Sequence, residues 1–271
     1  MSFPYYLALG FPKIQNAEAL PLSKSSMLNK VPEITIFFWI IKVLATTIGE
    51  TAADFLNDNL NLGLTITTLI MSAFLVIILI FQFKSKKYVL GIYWLAVVLI
   101  SVVGTLITDN FVDNFGVPLQ TTMVIFAVPL IVTFVIWYRS EKTLSIHSIR
   151  TSKREGFYWV AILFTFSLGT AAGDIIAEGL DLGYWKSAAL FAGLIGLVAI
   201  AYRYLKLASI WAFWIAYILT RPLGASLGDF LSQPSADSGL ALGTAGTSGI
   251  FLITILCVVV FLTITKKDQA K

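Results

Sequence analysis

Apolar runs of about twenty residues, separated by short polar breaks, follow one another along this 271-residue chain. Eight of them, at 34–56, 64–83, 88–110, 120–138, 157–178, 187–204, 208–231 and 246–265, come close to the roughly 20 residues a helix needs to cross a bilayer. The even runs are plain Leu, Ile, Val, Phe and Ala, with no ionisable residue at their centres. The odd runs are interrupted in a fixed way. Each carries a tryptophan, then a glycine, then an aspartate at constant spacing: Trp39, Gly49, Asp54; Trp94, Gly104, Asp109; Trp159, Gly169, Asp174; Trp214, Gly224, Asp229. An aromatic residue (Phe38, Tyr93, Tyr158, Phe213) precedes each tryptophan.

The repeating unit is therefore a two-helix hairpin, written four times. An even number of helices per unit gives every copy one orientation, so the repeats are parallel and related by an axis along the membrane normal. Copies one and three share local sequence, Gly49-Glu-Thr-Ala-Ala-Asp54 against Gly169-Thr-Ala-Ala-Gly-Asp174, and copies two and four share Tyr93-Trp-Leu-Ala96 against Phe213-Trp-Ile-Ala216. The pattern predicts an all-α polytopic membrane protein of eight transmembrane helices, pseudo-fourfold, with two related halves at 34–138 and 157–265. A basic linker, 139–156, joins the halves. Residues 1–33 read as a cytoplasmic or interfacial N-terminal tail without the features of a signal peptide, and 266–271 as a C-terminal tail.

Composition agrees: 58% of residues are hydrophobic and 13% charged, about half the charged fraction of a soluble domain. The single cysteine, Cys257, has no intrachain partner, and the single histidine, His147, falls in a polar loop, so a His-ligated zinc or haem site within the membrane is not expected. No nucleotide-binding, Ser/His, Cys/His or HExxH motif appears, and neither an enzyme nor a nucleic-acid partner is expected. Charge is also divided by side. Lys84, Lys86, Lys87, Arg139, Lys142, Arg150, Lys153, Arg154, Arg203, Lys206, Lys266 and Lys267 follow the even runs, whereas Asp58, Asp113, Glu178, Asp181 and Asp237 follow the odd ones. The positive-inside rule puts both termini in the cytoplasm and the aspartate ends outside.

Four tandem two-helix repeats, each with its tryptophan, resemble a bacterial integral-membrane family of repeats of unknown function. The resemblance extends over nearly the whole chain from about residue 34. It implies a bacterial plasma (inner) membrane and supports the architecture, but it carries no activity.

The repeated positions divide by chemistry. Indole rings favour the headgroup boundary, so Trp39, Trp94, Trp159 and Trp214 read as interfacial anchors. Gly49, Gly104, Gly169 and Gly224 are each followed four residues later by a small residue, a pattern that brings helix backbones together. Pro222 predicts a kink in the seventh span. Lys42 reads as snorkelling from near the inner boundary. Asp54, Asp109, Asp174 and Asp229 are costly at membrane depth, and a helix C-terminus does not favour them. One turn further stand Asp58, Asp113, Glu178 and Gln233, which would form an outer carboxylate ring. Glu50 is unique to the first repeat, where the others carry Thr105, Thr170 and Ala225. It is a candidate ion-pair partner for Arg221.

These residues predict a transporter of small cations, with Asp54, Asp109, Asp174, Asp229 and Glu50 as the cation-binding and translocation set. Oxygen ligands suit a bound hard metal such as Mn²⁺ or Mg²⁺, or else Na⁺ or H⁺, with the four aspartates as metal ligands and no other cofactor. Two further readings stay open: a proton-coupled carrier of a small organic solute, and a non-transporting scaffold or sensor. Lipid is the expected surrounding, and a homo-oligomer is compatible with all three.

Overall fold

A computed structural model describes residues 29–59, 62–237 and 239–268 of the protein. Eight long helices make up these residues: α1 (Ile36–Asp54), α2 (Leu64–Lys84), α3 (Leu90–Asp109), α4 (Leu119–Glu141), α5 (Ser152–Asp174), α6 (Tyr184–Tyr204), α7 (Ser209–Ser232) and α8 (Thr244–Thr265). All eight are long and apolar enough to cross a membrane. The boundaries lie within a few residues of the apolar runs except at α5, which starts five residues early inside the basic linker. There Thr151 caps the helix by accepting from the Arg154 N–H at 3.3 Å.

The two classes of apolar run take different places. The odd helices α1, α3, α5 and α7 pack side by side into a closed ring, each touching the next and α7 returning to α1. The even helices lie outside them and present most of their apolar surface outward, as a lipid-facing helix does. Ile66, Leu69, Val76 and Phe81 on α2 are among the exposed residues.

The hairpin expected from the repeat is opened out. Each even helix has the following repeat's odd helix as its main partner: α2 packs on α3, α4 on α5, α6 on α7, and α8 closes the circle on α1. Polar contacts accompany these pairings. Thr65 and Thr68 of α2 meet the Asn110 side chain just after α3. Ser187 of α6 meets Ser226 of α7 at 2.8 Å, and Ser248 of α8 meets Thr51 of α1 at 2.7 Å. The sharp turn that redirects the chain outward uses a glycine at positive φ before α2, α6 and α8 (Gly63, 75°; Gly183, 79°; Gly243, 74°), where a side chain would be strained.

Close approach within the inner ring falls on the repeated glycines. A methyl group on Gly104 of α3 would stand 2.7 Å from Cβ of Phe166 on α5. Equivalent additions on Gly49, Gly169 and Gly224 would run into Ser101 of α3, Arg221 and Pro222 of α7, and Thr46 of α1. Each glycine thus receives the residue three positions before the glycine of the neighbouring helix, and the relation runs once around the ring. Helix α7 continues through Pro222, which sits in the contact with α5.

Residues 29–33, assigned from sequence to the tail, belong to the packed body. The Lys30 side chain is buried, donates to Glu155 Oε2 at 2.6 Å and to the Phe83 carbonyl at 3.0 Å, and shares Glu155 with Gln82. The rest of the expected N-terminal tail, 1–28, lies outside the described residues, as do 269–271.

Candidate functional site

The inner face of each odd helix is a stripe read in steps of four residues. Taken with the glycines as reference, the stripes form layers along the ring axis. At the tryptophan end lie Phe38, Tyr93, Tyr158 and Phe213, all buried. Each packs on the tryptophan of the next helix: Phe38 on Trp94 at 5.6 Å, Tyr93 on Trp159 at 5.6 Å, Tyr158 on Trp214 at 6.3 Å and Phe213 on Trp39 at 5.9 Å between ring centroids. The Tyr93 and Tyr158 hydroxyls meet at 2.5 Å. This belt of rings fills the tryptophan end of the axis.

Its geometry corrects the anchor expectation for three of the four tryptophans. Trp94, Trp159 and Trp214 are buried between helices, and Trp214 Nε1 donates to the Leu144 carbonyl at 2.9 Å. Only Trp39 is half-buried. An indole is wide enough to fill the gap between two inner helices, and there it gains more contact than at a lipid boundary.

The next layer holds Lys42 with Val97, Ile162 and Tyr217. Lys42 does not snorkel. It is 1% exposed, with Nζ 3.9 Å from the Phe166 ring centroid and 4.2 Å from that of Tyr217. Nζ has no hydrogen-bond partner among the described residues, so the two aromatic faces are what cradle the ammonium.

Above it Arg221 crosses the axis, fully buried. Its Nη2 donates to Glu50 Oε2 at 2.7 Å, to Thr170 Oγ1 at 2.7 Å and to Thr105 Oγ1, and its Nη1 to the Thr46 carbonyl at 3.4 Å. Glu50, Thr105 and Thr170 hold the same position in three repeats, so one guanidinium gathers every polar member of a layer whose fourth residue is Ala225.

On the far side of that layer opens a cavity of about 270 Å³. Asp54, Asp109, Asp174 and Asp229 all line it, with Glu50 in the wall and Asp113, Glu178 and Gln233 nearer the mouth. Asp229 is buried, the other three aspartates are half-buried, and Asp113 and Glu178 are exposed. The Asp58 side chain lies outside the described residues. Three of the four aspartates are followed by one turn of π-helix: Phe55–Asn59, Asn110–Asn114 and Ile175–Gly179. The wider turn loosens the last inner helical contacts where the cavity begins, a placement typical of functional sites.

The cavity unites the repeated aspartates but does not make them a ligand cage. Among the described residues, no three His, Cys, Asp or Glu side chains come close enough to hold a metal ion directly. Asp54, Asp109, Asp174 and Asp229, expected as direct ligands, thus share a cavity without a preformed cage among the described residues. Each carboxylate comes from a different inner helix, and like charges disfavour their convergence on one point.

The sequence set Thr105 and Thr170 at the position of Glu50 but gave them no role, and it missed the burial of Lys42. That shared position, four residues before each aspartate, already placed Glu50, Thr105 and Thr170 in one layer. Nothing local distinguishes an inward Lys42 from a snorkelling one.

Fold and layers together define an integral membrane protein with an inner ring of four repeat helices around a polar axis. The chain belongs to the Repeat of Unknown Function family (DUF347), whose repeats match residues 37–88, 92–143, 157–206 and 212–268. No curated protein and no solved structure matches it.

Proposed function

We propose that the protein is a membrane transporter of small hard cations. One observation carries this reading: a single cavity collects the aspartate of all four repeats, with Glu50, Asp113 and Glu178. Carboxylates gathered in a low-dielectric cleft concentrate cations and repel anions. Without a direct ligand cage the ion is taken in hydrated form. Six waters at about 30 Å³ each need about 180 Å³, within the cavity's volume. Mg²⁺, which keeps several of its waters when bound, fits this mode well; Mn²⁺ and Na⁺ share its preference for oxygen. The basic residues at the tryptophan end support a cytoplasmic side there, so the cavity opens outward and the aromatic belt is the inner closure. That the aromatic rings fill the closed end, while only Leu64, Val112 and Leu119 bring apolar surface to the cavity, favours a cation over an organic solute.

Flux into proteoliposomes across Mg²⁺, Mn²⁺, Ca²⁺ and Na⁺, with Asp54, Asp109, Asp174 and Asp229 changed singly to Asn, tests the proposal. The expected result is uptake of at least one cation and a loss of about tenfold or more in each variant. No uptake of any cation, or Asn variants that match the parent, leaves a scaffold or sensor as the better reading.

A further inference from the structure

We infer that the layer formed by Glu50, Thr105 and Thr170 is a second, inner cation site, that Arg221 is its tethered occupant, and that a monovalent cation takes the site by displacing the guanidinium. The inference rests on the cation-transport reading and adds to it a site, an ion class and a competitor.

The donor set is that of a hard-cation site. Glu50 supplies a carboxylate, Thr105 and Thr170 supply hydroxyl oxygens, and Thr46 supplies a backbone carbonyl, all four within hydrogen-bond reach of the same guanidinium. The hydroxyl hydrogens have acceptors other than the guanidinium: Thr170 donates to the Phe166 carbonyl at 3.2 Å, and Thr105 reaches the Ser101 carbonyl at 3.2 Å and, less closely, Glu50 Oε2 at 3.5 Å. Donation to the backbone carbonyls leaves both hydroxyls with lone pairs free for a cation. The site is buried, with Glu50 6% exposed and both threonines fully enclosed. It is also reached from the cavity, because Glu50 lines both.

Charge sets the ion class. One carboxylate now balances one guanidinium, so exchange for a monovalent ion keeps the layer neutral, whereas a divalent ion would leave it positive. Lys42 adds a fixed repulsion from one layer below, its Nζ 3.9 Å and the Arg221 Cζ 5.8 Å from the centroid of the same Phe166 ring. Sodium accepts a carboxylate, two hydroxyls and a carbonyl as ligands, all of them oxygen. Arg221 is also held incompletely. Its buried Nε has no acceptor among the described residues, and its contact with the Thr46 carbonyl is long at 3.4 Å. An arginine fork optimised as a permanent brace would use those donors. The Phe166 ring, 5.8 Å from its Cζ, already carries the Lys42 ammonium at 3.9 Å, so a displaced guanidinium moves the other way, towards the aspartates of the cavity that Glu50 also lines.

The test is equilibrium binding of ²²Na⁺ to the full-length protein in detergent, beside flux by the parent. Arg221→Gln empties the site while keeping a polar side chain, and should bind ²²Na⁺ at least about tenfold tighter than the parent. Adding Glu50→Gln to it should abolish the gain, and Arg221→Lys should leave binding near the parent's. Binding by Arg221→Gln that equals the parent's, or a gain that survives Glu50→Gln, overturns the site. Parent flux of any cation together with unchanged Arg221→Gln binding keeps the transport reading and removes this one. Tight binding by Arg221→Gln with no parent flux does the reverse, and the absence of both removes both. If Arg221→Gln does not fold, the parent itself decides: Na⁺ but not choline should accelerate phenylglyoxal labelling of Arg221, read by mass spectrometry, and no acceleration overturns displacement.

Discussion

At the scale of single residues the buried pair Glu50–Arg221 dominates. Its partners stand 2.7 Å apart, with Arg221 fully buried and only an edge of Glu50 reaching the cavity. Removing one partner from such a pair strands the other charge and costs about 3–5 kcal/mol, whereas removing both often costs little. Thermal or denaturant unfolding in detergent should therefore show Glu50→Gln and Arg221→Met each strongly destabilised, and the double variant close to the parent. An additive double variant would mean that the two side chains are not coupled. For activity, exchanging the two charges should restore what either single change loses, and failure to rescue counts against a functional pair. The sequence made this pair legible because both residues break the repeat, at heights four residues apart. It did not reveal Lys42 as a second interior cation. A lysine about two turns from an apolar end looks the same whether it turns to lipid or to the axis, and only the rings of Phe166 and Tyr217 decide the matter.

At the scale of the helix, the repeated glycines set how closely the inner ring closes. Gly104→Ala would force Cβ atoms of α3 and α5 to 2.7 Å, and overpacking of this kind costs about 1–3 kcal/mol. Gly91, near the start of the same helix, has open space around it, so Gly91→Ala should be neutral or slightly stabilising. Gly49→Ala strikes the Ser101 side chain, so Gly49→Ala/Ser101→Gly should recover most of the stability lost in Gly49→Ala alone. Unfolding midpoints of the four variants check this, and a Gly104→Ala protein as stable as Gly91→Ala would refute close packing at that point. The spacing of small residues made this contact readable, since a small-xxx-small motif has one main physical use in a membrane. The π-turns after Asp54, Asp109 and Asp174 left no such mark. A π-turn depends on the balance between backbone bonds and the packing of the whole ring end.

At the scale of the molecule, the connection of repeats matters most. The outer helix of each repeat rests on the inner helix of the next, so the halves interlock twice, through α4 on α5 and α8 on α1. Inner contacts of α3 with α5 and α1 with α7 cross between the halves as well. Residues 34–138 therefore do not make a closed unit by themselves. A chain cut after Arg150 and co-expressed as two pieces should yield pieces that co-purify and retain whatever flux the intact protein has, while either piece alone should aggregate or be degraded. A stable, monodisperse first half would contradict the interlock. The axis is open at the aspartate end and filled by the aromatic belt at the other, so under the transport proposal the second state must part Phe38, Tyr93, Tyr158 and Phe213.

Sequence alone determined the eight spans, the fourfold repeat, and the glycines and aspartates that mark its inner helices. Those features follow from hydrophobic length and from periodicity, both properties of a local stretch of chain. Tertiary structure decided the rest: which neighbour each outer helix joins, that three tryptophans turn inward, that Lys42 is caged by rings, and that four aspartates share a cavity without forming a metal cage. Each of these depends on what stands opposite a side chain across the ring. Apolarity says only that a surface avoids water, and in a membrane both lipid and a neighbouring helix meet that demand.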